Sequence, residues 1–144
     1  MRILAAIALL FSAQAFACPN LTGAYTCTYQ DGTSDVVTMT QEEKGGVTIY
    51  NYNGSLIPAD NALYPVPDDD NVKQATFRAW CDNASLKGNI VGKYYNNGAL
   101  FGDLNMTLDL SLNNTSLKSV TTGTLTATNG TVYPLDGDLT CVRN

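Results

Sequence analysis

The feature that most constrains the fold of this chain is a strict alternation of apolar and polar residues in the segment LNMTLDLSL, residues 104–112. An extended strand points successive side chains to opposite faces, so this segment predicts a long β-strand with one apolar face and one wet face. The same alternation recurs over residues 75–81 and 133–141. These three segments favour a sheet that buries one side against a core.

The remaining composition also favours β-structure, because the chain has only two glutamates and is rich in Thr, Asn, Gly, Val and Tyr. Asp-Gly, Asn-Gly and similar groups supply the positive φ angles that tight hairpin turns need. They predict turns at Asp31-Gly32, Gly45-Gly46, Lys87-Gly88-Asn89, Asn97-Gly98 and Asn129-Gly130. We therefore predict eight strands, at residues 21–29, 34–40, 46–53, 72–81, 84–95, 99–112, 117–128 and 131–142.

Strands that follow one another through short turns predict an up-and-down meander, and eight strands can close into a barrel without exposed edges. We expect a single all-β domain over residues 18–144, an up-and-down antiparallel β-barrel without a major helix. A β-sandwich is the alternative. Residues 54–71 interrupt the regular succession of strands and short turns. They hold three of the five prolines, and their pattern predicts neither a regular strand nor a helix. They form either a lid over the barrel mouth, carrying Leu56, Ile57, Leu63 and Tyr64, or a packed surface excursion.

The first seventeen residues carry the pattern of a secretory signal peptide. Arg2 gives a positive start, residues 3–11 are apolar, and Ala15-Phe16-Ala17 is an A-x-A cleavage site. We predict a signal peptide of bacterial appearance over residues 1–17 and a secreted or periplasmic protein after cleavage. No later segment approaches the ~18 apolar residues of a membrane span. A lipid anchor on Cys18 is the alternative, but lipoprotein signals usually have a leucine near position 15.

Four cysteines remain after cleavage: Cys18, Cys27, Cys81 and Cys141. An even number in an oxidising compartment predicts two disulfides, in one of three connectivities. Zinc is the competing use, but the chain has no histidine and no C-x-x-C pair, so we expect no metal site. The run Asp68-Asp69-Asp70-Asn71 suggests calcium, yet it lacks the spacing and distal glutamate of an EF-hand, so a solvated charge run is the preferred interpretation.

Charge and the absence of histidine exclude several functions. Residues 18–144 contain seven Lys and Arg against thirteen Asp and Glu, a net charge of −6 that repels phosphate backbones, so we expect no nucleic-acid partner. An acidic surface keeps a secreted protein soluble and also suits a basic partner or a cation. Without histidine, Ser-His-Asp and Cys-His sites are impossible. We therefore predict that the protein is not an enzyme and needs no cofactor.

The segment LTGAYTC, residues 21–27, is similar to the start of the first strand in lipocalin-like barrels, the calycin group. In that family a G-x-W triplet places its aromatic ring at the barrel floor, and an arginine at the end of the last strand packs across it. Gly23 and Tyr25 match the triplet with Tyr in place of Trp, and Arg143 matches the arginine. Because no helix follows the last strand, the chain most resembles compact members such as avidin-like barrels and small bacterial metalloprotease inhibitors.

The resemblance also implies a disulfide pairing, because a Tyr25–Arg143 pair on antiparallel neighbours sets Cys27 opposite Cys141. In an eight-stranded meander the start of the first strand and the end of the fourth lie at the same end, which leaves the other two cysteines within reach of each other. The expected pairing is Cys18–Cys81 with Cys27–Cys141, and the alternative is Cys18–Cys141 with Cys27–Cys81.

Two classes of function fit these observations. The first is a binding module that holds a small apolar or amphipathic ligand at the barrel mouth, lined or covered by aromatic residues. The candidates are Tyr50, Tyr52, Tyr64, Phe77, Trp80, Tyr94 and Tyr95. The second is a protein-interaction module, such as a protease inhibitor or a cell-envelope component, with a packed, ligand-free barrel that makes contact through residues 54–71. In both cases we expect a monomer, and a hollow interior would favour the first class.

Overall fold

The structure, a computed structural model, describes residues 18–144, so the predicted signal peptide lies outside the described residues. Residues 18–144 form ten β-strands and no helix, and hence no helix that could cross a membrane. The strands are β1 (Gly23–Thr28), β2 (Ser34–Lys44), β3 (Val47–Tyr52), β4 (Ser55–Pro58), β5 (Tyr64–Val66), β6 (Val72–Asp82), β7 (Ser85–Asn96), β8 (Ala99–Asn113), β9 (Ser116–Ala127) and β10 (Val132–Arg143). The prediction of an all-β protein is confirmed.

All ten strands belong to one antiparallel sheet, in the order β4-β3-β2-β1-β10-β9-β8-β7-β6-β5. Neighbouring strands are consecutive in the chain, except that β1 pairs with β10, so the sheet is a meander whose first and last long strands are joined. The sheet curls into a half-barrel with its edges at β4 and β5. A closed ring of eight strands is therefore the wrong prediction: there are ten strands, and the ring is open between β4 and β5.

Residues 54–71 account for both differences. They contain β4 and β5, which are only four and three residues long, too short for an alternating pattern to identify. Each includes a proline, which cannot donate to a ladder and so favours the edge of a sheet. Across the opening, an isolated bridge between Asp60 and Trp80 connects this segment to β6. The segment thus forms the two edges of the sheet.

Strand length divides the half-barrel into two walls. The short wall is β1–β4, in which three strands have four to six residues and β2, with 11, extends five residues past the start of β1. The long wall is β6–β10, whose strands have 11 to 15 residues. We call the end with the β7–β8 and β9–β10 turns the upper end. β10 pairs with β9 from Val132 to Val142, but with β1 only from Cys141 to Arg143. The long wall therefore rises above the short wall, and the upper part of β10 pairs with β9 alone.

The hydrophobic core fills the lower half, where the two walls face each other. Its buried residues are Leu21, Tyr25, Cys27, Val37, Met39, Tyr50, Ala79, Leu86, Leu110, Leu117 and Cys141. They come from the inward-facing positions of both walls, as the alternation predicts for the long one. The hydroxyl groups of two buried tyrosines donate hydrogen bonds to backbone carbonyl groups of the N-terminal segment. Tyr25 donates to Leu21 O at 2.9 Å, and Tyr50 donates to Pro19 O at 2.7 Å.

The first and last strands meet through the residues that carried the family resemblance. The Arg143 guanidinium lies 5.9 Å from the centre of the Tyr25 ring and donates to the carbonyl oxygen of Thr22. A Cβ atom on Gly23 would come within 2.9 Å of Arg143 Nε and 3.0 Å of Tyr25 Cζ. Only glycine therefore leaves room for this packing, which is the arrangement expected of the triplet and the arginine.

Two disulfides join distant parts of the sheet, Cys18–Cys81 and Cys27–Cys141. The predicted register is also present, since Tyr25 lies opposite Arg143 and Cys27 opposite Cys141. The expected connectivity is confirmed. The sulfur atom that a lipid anchor on Cys18 would need is bonded to Cys81.

The predicted turns are confirmed with one exception. Positive φ angles occur at Gly32, Gly45, Gly46, Asn97, Gly98 and Gly130, and also at turns that were not predicted, at Asn53, Gly54, Asn83 and Asn114. The exception is Lys87-Gly88-Asn89, which lies within β7. There, a Cβ atom on Gly88 would lie 2.8 Å from the Phe77 ring, so glycine provides space for that ring instead of a turn.

Candidate functional site

An apolar cavity of about 240 Å³ lies between the two walls, above the core. Its lining residues are Cys27, Val37, Tyr52, Ile57, Phe77, Leu108, Leu110, Leu117, Ser119, Leu139 and Cys141. Carbon atoms dominate this surface, and the only side-chain hydroxyl groups belong to Tyr52 and Ser119. The cavity suits an alkyl or aromatic group and offers little to a polar one.

The inward row of the long wall places most of these side chains. The register aligns Leu110 with Ser119, and Ser119 with Leu139, on three neighbouring strands. Residues directly opposite in an antiparallel pair share a face, so all three point into the half-barrel. Phe77 reaches the cavity because it lies over Gly88 on the next strand. Ile57 from β4 completes the wall near the open side.

A larger groove of about 660 Å³ opens beside the cavity, between the β1–β2 turn and the inner face of β9 and β10. Its lining residues are Thr28, Tyr29, Gln30, Asp31, Ser119, Thr121, Gly137, Asp138, Leu139 and Thr140. Ser119 and Leu139 line both spaces, so the groove and the cavity adjoin at these two side chains. Eight of its ten lining residues carry a hydroxyl, amide or carboxylate group, although apolar atoms form most of its exposed surface, as they do in the cavity.

The groove exists because β1 ends while β10 continues. After Thr28 the chain turns, with Tyr29 N donating to Thr33 O at 2.9 Å and Gly32 in the left-handed region. Asp31 stabilises this turn by accepting from the Thr33 amide at 2.9 Å and from its hydroxyl at 2.6 Å. On the opposite side of the groove, a Cβ atom added to Gly137 would meet no atom within 4 Å. The groove floor is therefore open at this glycine.

Electrostatics give the groove a negative rim. The hydrogen bonds from the Thr33 hydroxyl and amide lower the pKa of Asp31, so its carboxylate is charged at neutral pH. Asp138 also borders the groove, but its side chain lies on the outer face of β10, because Gly137, Leu139 and Cys141 occupy the inward positions of that strand. Inside, burial raises the pKa of the Tyr52 phenol, with smaller contributions from Tyr29 and Asp35, which keeps its hydroxyl neutral.

The described residues lack the groups of several common catalytic and metal sites. The chain has no histidine, and all four cysteines are in disulfides. Among residues 18–144 no group of three or more His, Cys, Asp or Glu residues is placed to hold a metal ion. In the acidic run that suggested calcium, Asp68 accepts from Gln74 N, and Asp69 accepts from Asn71 N and Val72 N. These two carboxylates order the loop before β6.

Of the seven predicted aromatic site residues, only Tyr52 and Phe77 line the cavity. Tyr50 lies below the cavity in the core, where it is fully buried and its hydroxyl donates a hydrogen bond to Pro19 O. Tyr64 sits on the edge strand β5 and donates to Asp60 at 2.6 Å. Neither of these two residues is part of the cavity lining.

The other three candidates lie elsewhere on the long wall. Trp80 points to the outer face, where the Arg78 guanidinium lies 5.4 Å from its ring centre. The Lys73 ammonium lies 5.1 Å from the centre of the Tyr95 ring. Tyr94 packs edge-on against Phe101, with the two ring centres 6.2 Å apart. The seven aromatics are dispersed because neighbouring residues of a strand point to opposite faces.

Sequence reasoning missed the aliphatic lining and the whole groove. Leu108, Leu110 and Leu139 were assigned to the apolar face of their strands, but not to a site. Their alternation was the available signal. No sequence signal marked the groove residues, because the β1–β2 turn and the middle of β10 are brought together only by the β1–β10 pairing.

Geometry is thus the basis for assigning a function to this chain. Comparison with known protein families, with curated proteins and with solved structures found no match.

Proposed function

We propose that this protein binds a small amphipathic ligand, with the apolar part in the cavity and the polar part in the groove. The observation that carries the proposal is the junction at Ser119 and Leu139 between an apolar cavity and a polar-rimmed groove. An apolar group gains free energy by leaving water for the cavity, at about 25 cal/mol per Å². A charged group would lose hydration there, so it stays in the groove.

Size supports an amphipathic ligand over a wholly apolar one. The cavity, at about 240 Å³, is smaller than the ~300–1,000 Å³ typical of sites that enclose a complete small molecule. It holds one chain or ring, and the remainder of the ligand extends into the groove of about 660 Å³. The protein acts as a carrier or receptor and performs no chemistry on the ligand, as its lack of histidine and of free thiols favours.

The resemblance to lipocalin-like barrels favours the same function. Tyr25, Gly23 and Arg143 pack at the lower end as that resemblance implies, and the ligand space lies above them. The proposed location is the bacterial periplasm or the medium, after removal of residues 1–17. Two disulfides among the described residues are compatible with an oxidising compartment.

A second candidate function is protein interaction through residues 54–71. Leu56 on the edge strand β4 and Leu63 directly before the edge strand β5 are each 65% exposed, so both edges of the sheet present a large apolar side chain to solvent. Replacing both with Ser would weaken binding of a protein partner and leave ligand binding in the cavity unchanged. This difference separates the two candidates.

The test is direct ligand binding to the disulfide-bonded chain 18–144. Native mass spectrometry would detect a co-purified amphiphile, and titration with the fluorescent probe N-phenylnaphthylamine would measure an apolar site. We expect saturable binding with fluorescence enhancement. Gly137→Trp should reduce the affinity at least tenfold, because the added ring fills the open groove floor without meeting another atom at Cβ.

The matched control is Val142→Trp, on the same strand. Val142 is 59% exposed and does not line the cavity or the groove, so this variant adds the same ring elsewhere. Thermal unfolding of both variants checks that the fold is intact. Absence of probe binding by the unmodified protein, or an equal loss in both variants, would contradict the proposal.

A further inference from the structure

We infer that the ligand is an extended peptide segment, which adds a strand to the free upper edge of β10 and places one apolar side chain in the cavity. This inference rests on the proposed function, since it uses the same cavity and groove, and it names the class of amphipathic ligand. In strand addition, backbone hydrogen bonds provide affinity and a pocket for a side chain provides specificity.

β10 is an inner strand of the sheet at its lower end and an edge strand at its upper end. Residues 132–140 pair with β9 alone. At the lower end, Asn144 N donates to Ala24 O on the β1 side, whereas Arg143 N donates to Thr115 O on the β9 side. Backbone groups alternate between the two sides of a strand, so the even-numbered residues of β10 direct theirs away from β9. Among the described residues no further strand pairs with β10 above the β1–β2 turn.

Asp136 and Asp138 therefore offer backbone groups to a ligand. Each directs one N–H and one C=O toward the space that a further strand would occupy. Pro134, the even-numbered residue above them, has a carbonyl oxygen but no N–H. The two aspartates thus provide the donors nearest the groove, which Asp138 lines.

Gly137, between the two aspartates, leaves room for a second backbone on the inner side of this edge. A Cβ atom at this position would meet no atom within 4 Å, and the φ angle of Gly137 is not in the left-handed region, so its backbone does not require glycine. A glycine inside a strand often marks the close approach of a ligand or another backbone. A side chain opposite Gly137 on an added strand would share its inward face, next to the junction at Ser119 and Leu139.

The cavity has the volume of one side chain and not of a complete small molecule. It measures about 240 Å³, below the ~300–1,000 Å³ of sites that enclose such a molecule. The groove combines polar groups in eight of its ten lining residues with a mostly apolar exposed surface. A peptide matches both spaces, because it has polar backbone groups at every residue and can present apolar side chains at alternate positions. An alkyl chain would leave the backbone groups at the edge of β10 without partners.

A second copy of this chain is disfavoured at this edge by charge. Antiparallel self-pairing centred on residue 136 or 137 sets an aspartate of one copy opposite an aspartate of the other, and like charges directly opposite are destabilising. Asp136 and Asp138 are both exposed on the outer face, where they favour lysine or arginine on the neighbouring strand. The occupant is thus a peptide with basic outward residues around an apolar inward residue.

The experiment uses the peptide acetyl-STKFKTS-amide as the probe. Antiparallel to β10, its two lysines can lie opposite Asp136 and Asp138, with the phenylalanine opposite Gly137. Calorimetric titration of the disulfide-bonded chain 18–144 measures its affinity, and competition with N-phenylnaphthylamine reports entry into the cavity. We expect saturable binding with displacement of the dye. Replacing the phenylalanine with alanine should weaken binding by about tenfold or more, because the cavity then stays empty.

N-methylation of the peptide distinguishes strand addition from anchoring by a side chain alone. The backbone amides of the two lysines face Asp136 and Asp138, so methylating both removes two donors and should weaken binding by about tenfold or more. The matched control is methylation of the phenylalanine amide, which faces away from β10. It should change the affinity by less than about threefold, because no hydrogen bond to the protein is lost.

Variants of the protein separate the backbone contribution from the charge. Asp136→Asn removes only the charge and should weaken peptide binding by about two- to fivefold. Asp136→Pro also removes the edge N–H while keeping the bonds to β9, as Pro134 does on the same strand. It should weaken binding by about threefold more than Asp136→Asn. Thermal unfolding checks that both variants are folded, and the peptide analogues need no change in the protein.

The outcomes separate this inference from the proposed function. If the dye does not bind, the proposed function fails and this inference with it. If the dye binds but the peptide does not, or binds without displacing it, the proposed function stands and the inference is overturned. Equal effects of methylation at the lysines and at the phenylalanine would also overturn it, because the peptide would then not be held as a strand on β10.

Discussion

In the lower half of the half-barrel the short wall and the long wall face each other, whereas in the upper half the long wall stands alone. The lower half contains both disulfides and most of the buried side chains. In the upper half, Tyr133 on the same inner face is 44% exposed. The two halves show that an alternating strand provides an apolar face, while an opposing wall is needed to bury it.

The comparison also separates stability from binding. In the lower half, buried polar groups are paired, as Tyr25 is with Leu21 and Tyr50 with Pro19. The cavity and the groove lie where the short wall ends, and there the inner face keeps unfilled space. We therefore expect substitutions in the lower half to change stability, and substitutions around the groove to change binding.

The largest expected effect is the loss of a disulfide in the lower half. Replacing Cys27 and Cys141 with Ser removes a link across 114 residues and should lower the free energy of unfolding by about 2–5 kcal/mol. Urea denaturation of the oxidised protein measures it. Removal of Cys18–Cys81, which spans 63 residues, is the matched comparison and should cost about 0.5 kcal/mol less in the chain-entropy description. A loss below about 1 kcal/mol in both would contradict the importance of the cross-links.

The next effect compares two leucines of the same inner face. Leu86 is 3% exposed in the core, whereas Leu135 lies on the upper part of β10, where it is only half-buried. Leu86→Ala should cost about 2–5 kcal/mol, since it leaves a cavity among packed atoms. Leu135→Ala should cost about 1 kcal/mol or less. Urea denaturation of both variants gives the two values, and equal losses would show that the upper half is as well packed as the lower.

A third test compares two inward glycines of the long wall. A Cβ atom on Gly123 would collide with Asn105 O and lie 2.8 Å from Met106 Cα, whereas one on Gly137 would meet nothing. Gly123→Ala should therefore cost about 1–3 kcal/mol by overpacking. Gly137→Ala should stay within about 0.5 kcal/mol of the unmodified protein. Thermal unfolding distinguishes them, and a stable Gly123→Ala protein would show that the curl of the sheet does not depend on this close approach.

The smallest effect is a pH dependence in the lower half. Burial, with a contribution from Glu43, raises the pKa of Tyr50 to about 12. Above the ordinary tyrosine pKa of about 10 the unfolded chain loses this proton first, so stability should fall as the pH rises from about 10 to about 12. Tyr50→Phe should lower stability at neutral pH by about 1 kcal/mol, through loss of the Pro19 hydrogen bond, and flatten the decline. Tyr52, whose pKa burial also raises, leaves part of the slope in place.

That pH dependence is read from unfolding temperatures at pH 9 and pH 11. The fall between them should be smaller in Tyr50→Phe than in the unmodified protein. An identical fall in both would mean that the Tyr50 phenol does not contribute to the alkaline loss of stability.

Much of the fold could be predicted because its signals are local. Period-two patterns placed eight of the ten strands within a few residues of their ends, and Asn-Gly and Asp-Gly pairs marked the turns between them. The errors have local causes too. Gly88 looked like a turn residue because the space needed by Phe77 is visible only when β6 lies beside β7.

The site was less predictable than the fold, because the candidate residues were chosen for their aromatic rings and most of the lining is aliphatic. Aromatic content pointed to seven residues, of which Tyr52 and Phe77 line the cavity. Aliphatic side chains such as Leu108 and Leu139 form most of its surface, and they look the same in sequence as leucines of a filled core. Whether a leucine faces another side chain or empty space depends on the opposite wall.

The sequence by itself determined which residues are extended and which face of each long strand is apolar, and the family resemblance implied the pairing of the first and last strands with Cys27 opposite Cys141. These properties follow from side-chain period, turn chemistry and short motifs, all of which act over a few residues. The tertiary structure alone decided that the ring stays open between β4 and β5 and that a cavity and groove remain beside β10. Those features depend on the relative lengths of strands far apart in the chain, because burial requires two surfaces and a local pattern describes only one.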